Sequence, residues 1–145
     1  MTQAPDKLSI IVYSGAFDRV HYALAAAASA AAIDKPATLF FTMGALRALR
    51  ARRPDGRPGW ADLGLSEGAG TAEVHDRKLG ERGVARFEEL VQSCVALKVT
   101  FMVCEMGLRA EGLAREELRT DVAFQEGGLV TFLRDASGSG AMLLV

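Results

Sequence analysis

Short apolar runs recur along the chain at LSIIVYSG (8–15), ATLFFTMG (37–44), KVTFMVC (98–104) and GAMLLV (140–145). Runs of this length with little polar alternation predict strands buried on both faces of a sheet. VAFQEGG (122–128) predicts a further short strand. Between these runs the spacing changes. RVHYALAAAASAAAI (19–33) is dominated by the best helix former, and Asp18 stands where an N-cap is expected. ALRALRARR (45–53) predicts a short helix. In ERGVARFEELVQSCVAL (81–97), Val84, Phe87, Leu90, Val91, Cys94 and Val95 recur at helical spacing, which predicts an amphipathic helix. A helical segment containing GLAREEL (112–118) and a helix at GLVTFLRDAS (128–137) complete the pattern.

Strands alternating with helices along the whole length imply right-handed βαβ units and a mostly parallel sheet covered on both faces. The fold class is α/β, in a single domain spanning 1–145. One segment breaks the pattern. From about residue 51 to 80, ARRPDGRPGWADLGLSEGAGTAEVHDRKLG holds two prolines, six glycines and mixed charge. An irregular insertion with one short helical turn is expected there; structureless runs of this length are uncommon in compact domains and often functional.

Charge narrows the function classes. Seventeen basic residues against 18 acidic ones give a net charge of −1, which leaves no electrostatic footprint for nucleic acid or an anionic membrane. The arginines of ALRALRARR (Arg47, Arg50, Arg52 and Arg53) read as a solvated face. Two cysteines are too few for a disulfide scaffold, and His21 and His75 do not stand at ligand spacing from them, so neither a metal nor a cofactor is expected. MTQAPDKLSI lacks the basic and apolar regions of a secretory signal. ALAAAASAAAI (23–33) falls well short of the roughly 20 apolar residues that span a bilayer. A cytoplasmic protein with reduced thiols is the expectation.

Ligands of open α/β sheets collect beyond the carboxyl ends of the strands. Those ends are YSGAFD (13–18), FTMGA (41–45) and VCEMGL (103–108), which puts Cys104 in the expected site region. Ser14, Gly15, Asp18, Thr42, Gly44, Glu105, Met106 and Gly107 would form the pocket around it, with His21 one turn into the first helix as a further candidate. Small residues there leave room and expose backbone N–H groups. A thiol at a helix entrance meets unpaired backbone donors and the positive end of the helix dipole, surroundings in which reactive cysteines are found. Glu105 opposes this by its charge, and Arg109 would offset it by turning back. Two readings of Cys104 stay open: a small hydrophobe ending a strand, and a thiol presented to a partner.

IIVYSGAFDRVHYALAAAASAAAIDKPATLFFTMGALRAL resembles the start of the DsrE/DsrF-like family, with its Ser-Gly-x-x-Asp turn, alanine-rich helix and strand ending Phe-Phe-Thr. CVALKVTFMVCEMGLRAEGLAREELRTDVAFQEGGLVTFLRDASGSGAMLLV is similar to the family's strand–Cys–x–Met segment, later glycine-containing helix and last strand. The type-two DsrE branch is the nearest, and residues 51–80 lie outside the resemblance. The resemblance implies a three-layer α/β/α sandwich with a five-stranded sheet. It implies a sulfur-relay protein that carries sulfane sulfur as a persulfide on Cys104, with Cys94 as a possible second thiol. It also implies sulfur-donor and sulfur-acceptor proteins as partners and a homo-oligomer, as a trimer or hexamer. Turnover would depend on those partners, which makes the chain a carrier more than a self-sufficient enzyme. The competing reading is a small-ligand-binding or assembly module that uses the same strand-end crevice without covalent chemistry.

Overall fold

The structure, a computed structural model, describes residues 4–145, so the first three residues of the assigned domain lie outside the described residues. Strands β1 (Leu8–Val12), β2 (Ala37–Phe41), β3 (Thr100–Cys104), β4 (Phe124–Gly127) and β5 (Ala141–Leu144) form one sheet in the order β4-β3-β2-β1-β5. Every pairing is parallel. The helices are α1 (Phe17–Ala32), α2 (Ala72–Glu81), α3 (Phe87–Ala96), α4 (Glu105–Glu111) and α5 (Leu129–Asp135), with 3₁₀ turns at Met43–Leu49 and Arg115–Glu117. The α/β class and the five-stranded sheet agree with the sequence reading.

Coverage of the two faces is unequal, and strand order explains why. From β1 to β4 the chain steps across the sheet in one direction. Right-handed crossovers then place all the intervening helices on one face. Only the step from β4 back to β5 runs the other way, so only α5 lies on the opposite face. The cores follow this division. Ile10, Val12, Leu39, Phe41, Phe101 and Val103 share the main core with Val20 and Leu24 of α1, Ala72 of α2, Phe87 and Cys94 of α3, and Leu108 of α4. Phe40, Met102 and Cys104 point the other way and meet Phe132, the one buried residue of α5.

The alanines of α1 serve this packing. Ala23 and Ala27 are fully buried, and α3 approaches closely enough for the Cys94 thiol to donate to the Leu24 carbonyl oxygen at 3.4 Å.

Several sequence expectations need correction. Asp18 is not the N-cap of α1: Ala16 holds that position, and Asp18 sits in the first turn. Its carboxylate instead accepts from the backbone N–H of Ser66 at 2.7 Å and from the Ser66 hydroxyl, tying the insertion to α1. Segment 51–80 holds more than one helical turn, since the ten residues of α2 end it. The helix expected over 45–53 is the 3₁₀ turn Met43–Leu49, after which Arg50 bridges antiparallel to Leu118. The helix after β3 begins directly at Glu105 and stops at Gly112, whose φ of 65° is the left-handed conformation that glycine adopts without strain. Residues 112–118 therefore hold only a 3₁₀ turn.

The amphipathic helix starts later than its pattern, at Phe87, because a buried aspartate caps it. Asp76 of α2 accepts from the Phe87 backbone N–H and from Arg86 Nε, each at 2.8 Å. That partnership joins two helices through a group that sequence spacing does not reveal.

Candidate thiol site at the strand ends

Cys104 is the last residue of β3 and the N-cap of α4, and its Sγ accepts the Gly107 N–H at 3.4 Å. It is 1% exposed, packed among Phe40, Met102 and Phe132 with Ile11 beside them. Glu105 and Met106 follow on the surface, Met106 with half of its area in solvent. Arg109 lies in the last turn of α4 and makes no ion pair with Glu105.

The other predicted loops do meet here, but they are packed tightly. A Cβ placed on Gly107 would lie 2.6 Å from the Met43 nitrogen and 2.8 Å from Thr42 Oγ1, and one on Gly15 would lie 2.9 Å from the Gly44 carbonyl oxygen. At these two points the small residues bring backbones into contact. Met43, between Thr42 and Gly44, adopts a positive φ of 46°, a conformation uncommon outside glycine. Ser14 Oγ accepts from the Ala16 N–H at 3.1 Å, and the Tyr13 and Ser14 N–H groups donate to the Val145 carbonyl oxygen.

Two candidates are placed away from Cys104. His21 Nε2 donates to the Ala85 carbonyl oxygen at 2.8 Å, and its ring lies 5.9 Å from that of Phe17, in the main core. Cys94 is buried in that same core. Burial pushes its thiol up to about 12, against a small opposing effect of its contact with the α1 backbone. Since Cys94 and Cys104 belong to clusters on opposite faces, the sheet separates them.

The cover over Cys104 is a feature that sequence reasoning did not find. Phe132 stacks on Phe40 with ring centroids 5.0 Å apart. At the end of α5, Asp135 accepts from Lys7 Nζ at 2.8 Å and from Thr38 Oγ1 at 2.6 Å. Burial works against the Asp135 charge, but these two donors outweigh it and hold the carboxyl below its ordinary range. GLVTFLRDAS offered only an apolar helix; nothing in its spacing named the cysteine beneath it.

Two open cavities lie elsewhere, and Cys104 lines neither. One, of about 360 Å³, is bordered by Gly15, Ala16, Arg47, Arg50, Asp62 and Leu63. The other, of about 310 Å³, is bordered by Arg50, Arg52, Trp60, Glu88, Arg119 and Thr120. The basic stretch ALRALRARR was the signal for them.

These features define a parallel α/β protein in which β3, an inner strand of the sheet, ends in a covered cysteine. Among solved structures, the chain is similar to that of the YchN protein from E. coli, with a TM-score of 0.52 over 95% of this chain and 97% of that one. At 18% identity the likeness shows the fold alone, a parallel five-stranded sheet with helices on both faces. No family model matches the chain, and no curated protein matches its sequence. Among the described residues, no helix is long and apolar enough to cross a membrane.

Proposed function

We propose that the chain is a sulfur-relay protein that carries sulfane sulfur on Cys104. The thiolate of Cys104 attacks the outer sulfur of a donor persulfide, forming a new S–S bond while the donor's own S–S bond breaks and the donor leaves as a thiolate. An acceptor thiolate then attacks the outer sulfur held on Cys104, and Cys104 leaves as a thiolate. No net oxidation occurs, and the chemistry is that of thiol–disulfide exchange. The observation that carries this reading is the position of Cys104 at the carboxyl end of β3, with a backbone N–H directed at its sulfur. The DsrE-like fold of the neighbour supports it.

Loading requires movement, because Phe132 and its helix cover the thiol. α5 is the element suited to move. It has seven residues, buries one of them, and is flanked by Gly127-Gly128 and by Gly138 and Gly140. We place this chemistry in a reducing, cytoplasmic setting, where both thiols are free. Donor and acceptor are thiol proteins.

The α5 face also suits contact between copies of the chain. Leu129, Val130 and Leu133 of α5 are exposed, as are Met142 and Leu144 of β5, which pair in register with Ser9 and Ile11 on that face. A lasting apolar contact fits this composition better than a transient partner, and a second copy supplies the same surface. Light scattering should give a mass above one chain, and Val130→Glu should lower it; a monomer in the wild type would refute this contact.

The carrier reading is tested by intact mass spectrometry after exposure to a low-molecular-weight persulfide. Wild type and Cys94→Ala should each gain one sulfur that dithiothreitol removes, and Cys104→Ser should gain none. No adduct on the wild type, with α5 loosened by Phe132→Ala as well, would leave Cys104 a packing residue. The competing reading, a binding module, would then stand.

A further inference from the structure

Outside the thiol site, several arginines of the strand-end region are held by carboxylates. Arg47 pairs with Glu111 at 3.0 Å and Arg53 with Asp62 at 2.5 Å. Arg57 lies between Asp62 and Glu73, at 2.9 and 2.7 Å. Arg119, with its side chain 11% exposed, is held by Glu88 at 2.6 Å and Asp121 at 2.7 Å. Arg50 differs from all of these. It is half-buried and lines both cavities, its Nε donates to the Arg47 carbonyl oxygen, and its guanidinium pairs with no carboxylate among the described residues. Arg52 beside it donates, among the described residues, only to the Gly56 carbonyl oxygen.

The carboxylates in the cavity walls are already engaged. Glu88 accepts from Arg119 through both oxygens and from Trp60 Nε1, and Asp121 accepts from Arg119 through both of its own. In the cavity of about 310 Å³, three arginines face two carboxylates; in that of about 360 Å³, two arginines face Asp62, which Arg53 and Arg57 already hold. Each cavity is left with an excess of positive charge, and Arg50 stands in both.

The walls are also built. A Cβ on Gly59 would lie 2.2 Å from the Arg50 carbonyl oxygen, so the insertion is seated directly on the backbone that presents Arg50. Trp60 is 3% exposed, and its ring packs on Phe87 and Phe17 with centroids 4.8 and 5.3 Å away. The larger cavity adjoins Gly15 and Ala16, just beyond the carboxyl end of β1, where ligands of parallel α/β sheets collect.

From these observations we infer that Arg50 anchors an oxyanion site shared by the two cavities, and that its ligand is a small organic phosphate. The planar guanidinium fork matches phosphate oxygens in pairs. The cavities exceed what a bare phosphate fills, and Pro58, Trp60, Leu63 and Leu65 give the organic part apolar contact. The site lies on the α1 to α4 side of the sheet, so it does not depend on the sulfur-carrier reading.

Trp60 is the only tryptophan of the chain and lines the cavity, which makes its fluorescence the readout. The protein is titrated with ribose 5-phosphate, with inorganic phosphate, and with chloride at matched ionic strength. Ribose 5-phosphate should give a saturable change at lower concentration than inorganic phosphate, and chloride should give none. Arg50→Gln and Arg52→Gln should each weaken the response, Arg50→Gln by at least about tenfold, with circular dichroism unchanged. Arg134→Gln, on α5, should titrate as the wild type, and so should Cys104→Ser. No saturable change in the wild type, or an undiminished one in Arg50→Gln, would overturn the site. Equal binding of the two phosphates would overturn the organic ligand.

Discussion

The backbone N–H of Gly107 donates to the Sγ of Cys104, at a position where no side chain larger than hydrogen fits. Cysteine and glycine thus form one unit. The strand end supplies the sulfur, and the first turn of α4 supplies the donor only because residue 107 lets that turn lie against Thr42 and Met43.

Gly107→Ala should therefore destabilise the fold by about 1–3 kcal/mol, since the methyl group would meet backbone that cannot retreat freely. Gly128→Ala is the control. Its φ of −109° suits any residue and nothing lies within 4 Å, so it should fall within about 0.5 kcal/mol of the wild type. Urea denaturation of the two variants reads the difference.

In the folded protein Cys104 should alkylate slowly, because Phe132 seals it. Phe132→Ala should raise that rate by about tenfold or more. Cys94, fully buried with its thiol near 12, should stay unmodified in both proteins. Peptide mapping after iodoacetamide treatment distinguishes the two cysteines. Equal rates at Cys104 in both proteins would mean that α5 does not control access.

Asp76→Ala should cost about 2–4 kcal/mol, far more than a surface carboxylate, because it strips the cap from α3 and leaves Arg86 without its partner. Thermal unfolding, with Glu81→Ala on the exposed part of α2 as reference, measures this.

Acid stability should carry the mark of Glu88. Burial works against its charge, but hydrogen bonds from Arg119 and Trp60 outweigh burial and hold its carboxyl below the ordinary value of 4.5. Its folded pKa is thus depressed. The stability it contributes is present above pH 4.5 and is lost as the pH falls from there through the folded value. Glu88→Gln should make the stability profile shallower below pH 4.5, by at most about 1.4 kcal/mol per pH unit. Urea midpoints measured down that range test the sign; an unchanged slope would show that Glu88 is not held in this way.

The sequence by itself determined the five strands and the long helices α1 and α3 between them, and with these the parallel sheet. Buried strands need continuous apolar runs, and LSIIV, ATLFF and TFMVC cannot be placed otherwise. It also put Cys104 at a strand end, because apolar character stops there. Only the tertiary structure decided what surrounds that cysteine. Strand parity sends residues 102 and 104 to the face opposite 101 and 103, but the direction of the crossovers decides which face receives four helices and which receives one. Segment 51–80 was illegible for a related reason. Its order comes from polar and backbone contacts between distant residues, Ser66 with Asp18 and Gly59 with Arg50, and such contacts leave no period in the sequence.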